Sequence, residues 1–493
     1  MGEPADLLIE GTIITMDPER RVIRDGAVAI RGDRIAAVDA AGEVRQRHDA
    51  ARTLGGARRI VLPGLIDCHN HLAQALVREY ALEDYPNIYR VYIPCEMAMD
   101  GHDADVSARF GISQLLRAGV TTVAETTCTP EHEEPIARAV METGIRCAMA
   151  RGVGDRVSRL ASNYEQIDER STYQDDPGAL REDLAATEEW LDRWAAEGQG
   201  RLRPYIHNLG LPSCSDERFL ATKELAAKHD TGVMCHINRD REEIELIFSL
   251  FGERPIEHLH AIGALDDRFL AIHAMLTTDR EIRMLAEAGA AVAHAPIVCT
   301  DIVSAVTQVV AMRTAGVTVG LGCDTVINDL FKVMRIAFVM HGQASGIPLY
   351  DPLSFSTEDA MTMATIDAAR ALRWDQEIGS LEVGKAADVV VVDAANTRLT
   401  PTYQPVGTLV RYAVGTDVET VVVAGRPVVE DGQVLAIDEP ALLDDAERLG
   451  AKLGQALGPR RYRPLAADAP ALSASFPAGA PAAARPASRR IGR

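Results

Sequence analysis

The chain has 493 residues, with 51 Lys plus Arg against 72 Asp plus Glu for a formal net charge of −21, and is 47% apolar, 25% charged and 5% aromatic. That composition suits an acidic globular chain holding one barrel of about 250 residues and an accessory domain, and excludes a small crosslinked scaffold. The acid surplus argues against a nucleic-acid partner. The chain shows no uninterrupted apolar stretch of about 20 residues, and the opening MGEPADLLIEGTIITMDPE lacks a basic end followed by an apolar run, so a cytoplasmic protein with no membrane partner is expected.

Along the chain, residues 7–16, 26–30 and 34–38 read as short strands separated by turn pairs such as Asp25-Gly26 and Gly32-Asp33. The same texture returns in AADVVVVDA, residues 386–394, and at residues 418–429. Two β-rich ends around a long middle predict a small β-sandwich domain built from both termini, residues 1–59 and 376–435. The middle, residues 60–375, alternates apolar runs with helical stretches, the pattern of βαβ units around a parallel sheet. Eight candidate strands (60–67, 120–125, 146–151, 202–207, 232–236, 269–273, 290–294 and 317–324) make this an α/β chain with a (β/α)8 TIM barrel. Helices are predicted between them, for example over 103–118, 179–196 and 216–228, and a further helix over 436–463. The Pro- and Ala-rich residues 464–493 read as a disordered tail. The eight cysteines have no CxxC spacing, so neither disulfide nor thiolate zinc site is expected.

In such a barrel the C-terminal strand ends face one mouth. Six of the thirteen histidines fall at five of these ends: His69 and His71, His207, His236, His273 and His294, with Asp324 ending the eighth strand. Two His at i and i+2 on an extended segment project to one side, so His69 and His71 can grip one cation. His236 and Asp324 complete a mixed nitrogen and oxygen set with an open position for water. That donor set favours Zn2+, with Fe2+, Co2+ or Mn2+ as alternatives, over Mg2+ or Ca2+. A cation so held brings the pKa of water down to roughly 7, which makes hydrolysis the natural chemistry. Asp324 then moves the water proton, His273 hydrogen-bonds the water or the developing oxyanion, and His207 is left to hold substrate. Asn208, beside it, is a substrate-contact candidate, and Glu125 at the end of the second strand is another.

The segment VLPGLIDCHNHL resembles the first-strand signature of the amidohydrolase superfamily, GLGCDT its eighth-strand aspartate motif, and EIGSLEVGKAADVVVVD its return to the β-domain. The spacing is most similar to the branch holding triazine chlorohydrolases, S-adenosylhomocysteine deaminases and guanine deaminases. The resemblance implies one metal on His69, His71, His236 and Asp324, catalytic His273, His294 orienting the water or Asp324 from behind, and a homo-oligomer acting on a small molecule. One position departs from the pattern. Deaminases of this branch carry His-x-x-Glu after the fifth strand, whereas here Arg239 stands in the glutamate's place, and arginine stays charged at neutral pH. Arg239 is therefore read as a substrate contact, and Asp240, Glu242 and Glu243 as solvated helix-surface acids, able to substitute for the glutamate only if the local backbone differs. With the proton-carrying glutamate gone, cleavage of the C–N bond of an amide, urea or carbamate ranks first. Deamination or dechlorination of a purine, pterin or triazine is the alternative, and a non-catalytic scaffold comes third.

Overall fold

The computed structural model describes residues 2–81, 88–126, 129–152, 154–157, 174–300 and 305–458. The first strands in chain order are β1 (Glu3–Ile14), β2 (Val22–Arg31), β3 (Arg34–Ala40), β4 (His48–Pro63), β5 (Leu65–Asn70), β6 (Val120–Thr126) and β7 (Arg146–Arg151). Two short strands, β8 (Arg156–Val157) and β9 (Gln174–Asp175), pair as an antiparallel ribbon. Then follow β10 (Leu202–Asn208), β11 (Val233–Ile237), β12 (Phe269–His273), β13 (Ala291–His294), β14 (Val319–Leu321), β15 (Val389–Asp393), β16 (Val418–Val423), β17 (Arg426–Glu430) and β18 (Gln433–Val434).

The barrel takes its strands in chain order, β5-β6-β7-β10-β11-β12-β13-β14, every pairing parallel. Helices such as Gly101–Arg117 and Asp216–Lys228 supply the crossovers that parallel pairing demands. Several connections stop at a left-handed glycine, as at Gly144 (φ 85°) and Gly289 (φ 71°), where a side chain would be strained. The other sheet, in the order β18-β17-β16-β15-β4-β1-β2-β3, interleaves both ends of the chain. Its apolar residues alternate faces with period 2. Val389 and Val391 join Ile9, Val28 and Ile30, whereas Val390 and Val392 join Leu116 and Val120 of the barrel. The terminal sheet is thereby fastened to the barrel's outside.

One expected boundary moves. The continuous apolar run 60–67 reads as a single strand, but Ile60–Pro63 ends β4 and pairs antiparallel with β15, and the first barrel strand starts at Leu65. The break is Gly64, where any Cβ would lie 1.9 Å from Thr121 Oγ1. The last helix, Glu439–Leu457, sets Leu442, Leu449 and Leu453 against Val77, Tyr92 and Cys95 of the connection after β5. The tail 464–493 lies outside the described residues. The seven described cysteines are buried and form no disulfide among the described residues, and no helix among the described residues is long and apolar enough to cross a membrane.

Close approach of β14 to β5 depends on glycine. A Cβ on Gly320 would stand 2.3 Å from Cys68 Sγ, in a layer closed from behind by Ala368. Gly320→Ala is expected to destabilise the fold by about 1–3 kcal/mol through overpacking, read as a lowered denaturant midpoint at unchanged m-value.

Candidate active site

The barrel's C-terminal strand ends bring the expected histidines together. His69, at the end of β5, is fully buried, and its ring centroid lies 4.8 Å from that of His71, 4.9 Å from His236 and 5.1 Å from His273. Asp324, three residues past β14, places Oδ2 3.4 Å from His69 Nε2 and 3.9 Å from His273 Nε2. Within each of the sets His69, His71, Asp324 and His69, His236, His273, the possible ligand atoms lie within 4.8 Å of one another.

Two features show that these residues fit a cation. Neither ring nitrogen of His69 has a hydrogen-bond partner although both are buried, an expense a folded protein avoids unless something fills the gap. His71 directs Nδ1–H to the Thr126 carbonyl at 2.9 Å, which fixes the tautomer and leaves Nε2 as a lone-pair donor. Burial, with the neighbouring histidines, also pushes the pKa values of His71, His236 and His273 down, so all three are neutral at pH 7. Burial alone would raise Asp324, but the His69 imidazole, with Nε2 3.4 Å from Oδ2, holds its carboxyl below the usual range. A neutral imidazole set with an ionised carboxylate is the donor chemistry of a divalent transition metal.

The backbone under the site turns sharply. His273 (φ 73°), Asp324 (φ 53°) and Asn238 (φ 48°) all occupy the left-handed region, which His, Asp and Asn adopt more readily than other side-chain-bearing residues and which surrounding bonds fix here. Asp67 supplies several of those bonds. Its Oδ1 accepts from His69 N at 3.2 Å and Cys323 N at 2.9 Å, its Oδ2 accepts from Asn70 Nδ2 at 2.8 Å, and burial lifts its pKa to about 6. Asp324 N in turn donates to His69 O at 2.9 Å. A cavity of about 400 Å³ opens onto His71, His236, His273 and Asp324.

Other expected residues sit elsewhere. His207 is fully buried, with Nε2 3.3 Å from His236 Nδ1, and it does not line the cavity. Asn208 is corrected from substrate contact to support, because its Nδ2 donates to Thr222 Oγ1 and its Oδ1 accepts from Arg218 Nε, each at 2.9 Å. Glu125 is corrected likewise: it is buried and accepts from Leu72 N at 2.6 Å, bracing the turn after His71. His294 meets His341, Nε2 to Nε2 at 3.0 Å, and burial with the His341 neighbour keeps it neutral. Arg239 does reach the cavity, with Nε on Asp240 Oδ2 at 2.7 Å. Given its contact, His207→Ala is expected to weaken metal retention about 10- to 100-fold, measured by competition with a chelator.

Two carboxylates of the cavity were not placed there by the sequence reading. Glu96 is buried, takes Gln74 Nε2 at 2.7 Å and Thr129 Oγ1 at 2.6 Å, and faces the cavity. Its signal was a single acid inside the apolar run IYRVYIPCEMAM. Glu243 is not a solvated surface acid: it is 4% exposed and lines the same cavity. Of the tyrosines in the connection after β5, Tyr92 lines the cavity, whereas Tyr85 lies outside the described residues.

Comparison with known proteins agrees with this architecture. The model of the amidohydrolase family matches residues 60–428. A 5-methylthioadenosine/S-adenosylhomocysteine deaminase of Pelotomaculum thermopropionicum is 29% identical over 457 residues, covering 91% of this chain and 99% of that protein. A protein of the same name from Symbiobacterium thermophilum is 31% identical over 86% of this chain and 94% of its own length. Among solved structures, an adenosine deaminase from Xanthomonas campestris with bound zinc superposes with a TM-score of 0.82 at 26% identity, covering 92% of this chain and 99% of that one. The chain belongs to the amidohydrolase family. It is a metal-dependent hydrolase of carbon–nitrogen bonds other than peptide bonds.

Proposed function

We propose that the protein deaminates a 6-aminopurine nucleoside of the 5′-substituted adenosine type, with Zn2+ as its metal. The relatives support ring deamination, the second chemistry raised by the sequence, over cleavage of an amide, urea or carbamate. The observation that carries the reading is the cavity. Its volume of about 400 Å³ suits a nucleoside-sized ligand, and it joins the metal-binding set to a mixed wall. Ile88, Tyr92, Ile93 and Val298 give apolar surface for a flat ring, and the Glu96 carboxylate with Gln74 gives polar groups for hydroxyl-bearing parts.

Bound at the site, the metal supplies Lewis acidity that makes water a competent nucleophile at neutral pH. The chain's own groups do the rest. His69, His71, His236 and Asp324 are the residues to hold it. Asp324, ionised across the physiological range, takes the proton of the attacking water, and neutral His273 hydrogen-bonds the oxygen as it adds.

The test is release of ammonia or of an amine by zinc-loaded protein from two compound sets. Adenosine, 5′-deoxyadenosine and 5′-methylthioadenosine form one, and N-aryl amides, ureas and carbamates the other. Turnover confined to the first set is expected; turnover confined to the second restores the amide reading.

A further inference from the structure

We propose that Glu243 gives a proton to the ring nitrogen and takes one back from the adduct's hydroxyl, from a position four residues beyond the one occupied by Arg239. The inference rests on the deaminase reading.

The helix Arg241–Phe251 starts just after β11, and its N-cap Asp240 accepts from Glu243 N at 2.7 Å. A glutamate in a first helical turn ordinarily points to solvent. Here its Oε2 accepts from the backbone N–H of Arg239 at 2.8 Å, which turns the side chain inward. Glu243 Oε1 is buried without a hydrogen-bond partner. The residue lines the cavity together with His236, His273 and Asp324. A buried, half-satisfied carboxyl facing a catalytic cavity costs stability, and a substrate atom is the partner its geometry lacks. Arg239 contributes through its backbone while its guanidinium is occupied by Asp240.

Charge agrees with geometry. Burial lifts the Glu243 pKa to about 8, with Asp240 raising it further and Arg239 opposing, and the nearby Cys235 thiol, pushed up by its own burial, is neutral. Glu243 therefore enters the reaction protonated at pH 7.

The step balances. As the water oxygen bonds to the amino-bearing carbon, Asp324 takes one water proton, the C=N π pair moves to the ring nitrogen, and Glu243 protonates that nitrogen. The adduct's hydroxyl proton then returns to the Glu243 carboxylate, the carbon–amine bond breaks, and the amine leaves as ammonia with the proton held by Asp324. The product is a ring C=O beside a ring N–H.

The experiment compares zinc-loaded wild type, Glu243→Gln, Glu243→Asp and the neighbouring Glu242→Gln on adenosine and 5′-methylthioadenosine, with metal content and pH profile as further readouts. Glu243→Gln is expected to lose about 10²- to 10⁴-fold in kcat with KM within a few-fold and zinc unchanged. The wild-type fall in kcat above pH ~8, where the carboxyl loses its proton, is expected to vanish from the residual activity. Glu243→Asp retains an intermediate rate, and Glu242→Gln behaves as wild type. An active wild type with Glu243→Gln at full rate, or losing zinc in step with activity, overturns the proposal and leaves the deaminase reading standing. If Glu243→Gln does not fold, full activity in Glu243→Asp overturns it. A zinc-loaded wild type that releases no ammonia overturns the deaminase reading and this proposal with it.

Discussion

Asp324→Asn is expected to abolish turnover, by at least about 10³-fold, and to strip the protein of most of its metal. On the proposed roles three things change at once: a negative charge leaves a cluster of imidazoles, a ligand is weakened, and the proton acceptor for the attacking water disappears. The fold should survive. Asn is among the few residues at ease in the left-handed conformation that position 324 adopts, at φ 53°, and it keeps the shape of the side chain. Metal analysis, circular dichroism and ammonia release on one preparation separate these effects. A zinc-bound, fully active Asp324→Asn would remove the carboxylate from both roles.

The second large effect lies at the opposite end of the barrel. Arg146 opens β7 and Asp388 immediately precedes β15, and they form a buried two-point ion pair, Nε to Oδ2 at 2.5 Å and Nη2 to Oδ1 at 3.1 Å. Asp388 also accepts from Ala424 N at 2.8 Å, so it binds two parts of the terminal sheet to the barrel. Asp388→Ala strands the Arg146 charge in a dry interface and is expected to cost about 3–5 kcal/mol, measured by denaturant unfolding. Arg146→Met combined with Asp388→Leu should recover much of that loss, because no charge is left unpaired. Both variants should keep near-wild-type KM in the folded fraction, since the pair sits at the N-terminal strand ends, away from the cavity.

Much of this was legible in the sequence for a simple reason. Strand ends in a barrel share a mouth, so histidines spaced by whole βα units are brought together by topology, and the only side-chain direction needed was the alternation that puts His69 and His71 on one side. Features that depend on direction were hidden. Asn208 follows His207 in sequence, but neighbours along a strand point to opposite faces, and its amide turns to Arg218 and Thr222. Glu243 looks like any acid at a helix start. What distinguishes it is one backbone hydrogen bond from Arg239, which no pattern of residue types announces. The missing glutamate at position 239 pushed the sequence ranking toward amide cleavage, and the buried carboxyl four residues later removes the reason for that ranking. The strand β4 was obscured by its composition, HDAARTLGGARRIVLP, whose first twelve residues lack apolar alternation.

The barrel meets itself between β5 and β14 where Asp324 N donates to His69 O at 2.9 Å, Asp67 reaches from His69 N to Cys323 N, and Gly322 leaves no room for a Cβ, which would lie 3.0 Å from His69. The proposed ligands His69 and Asp324 sit on the two sides of that joint, so an ion bound there would rivet a seam as well as arm a reaction. Loss of metal to a chelator should then be paced by the seam breathing open, and deuterium uptake at residues 65–70 and 319–324 should rise together as the ion departs.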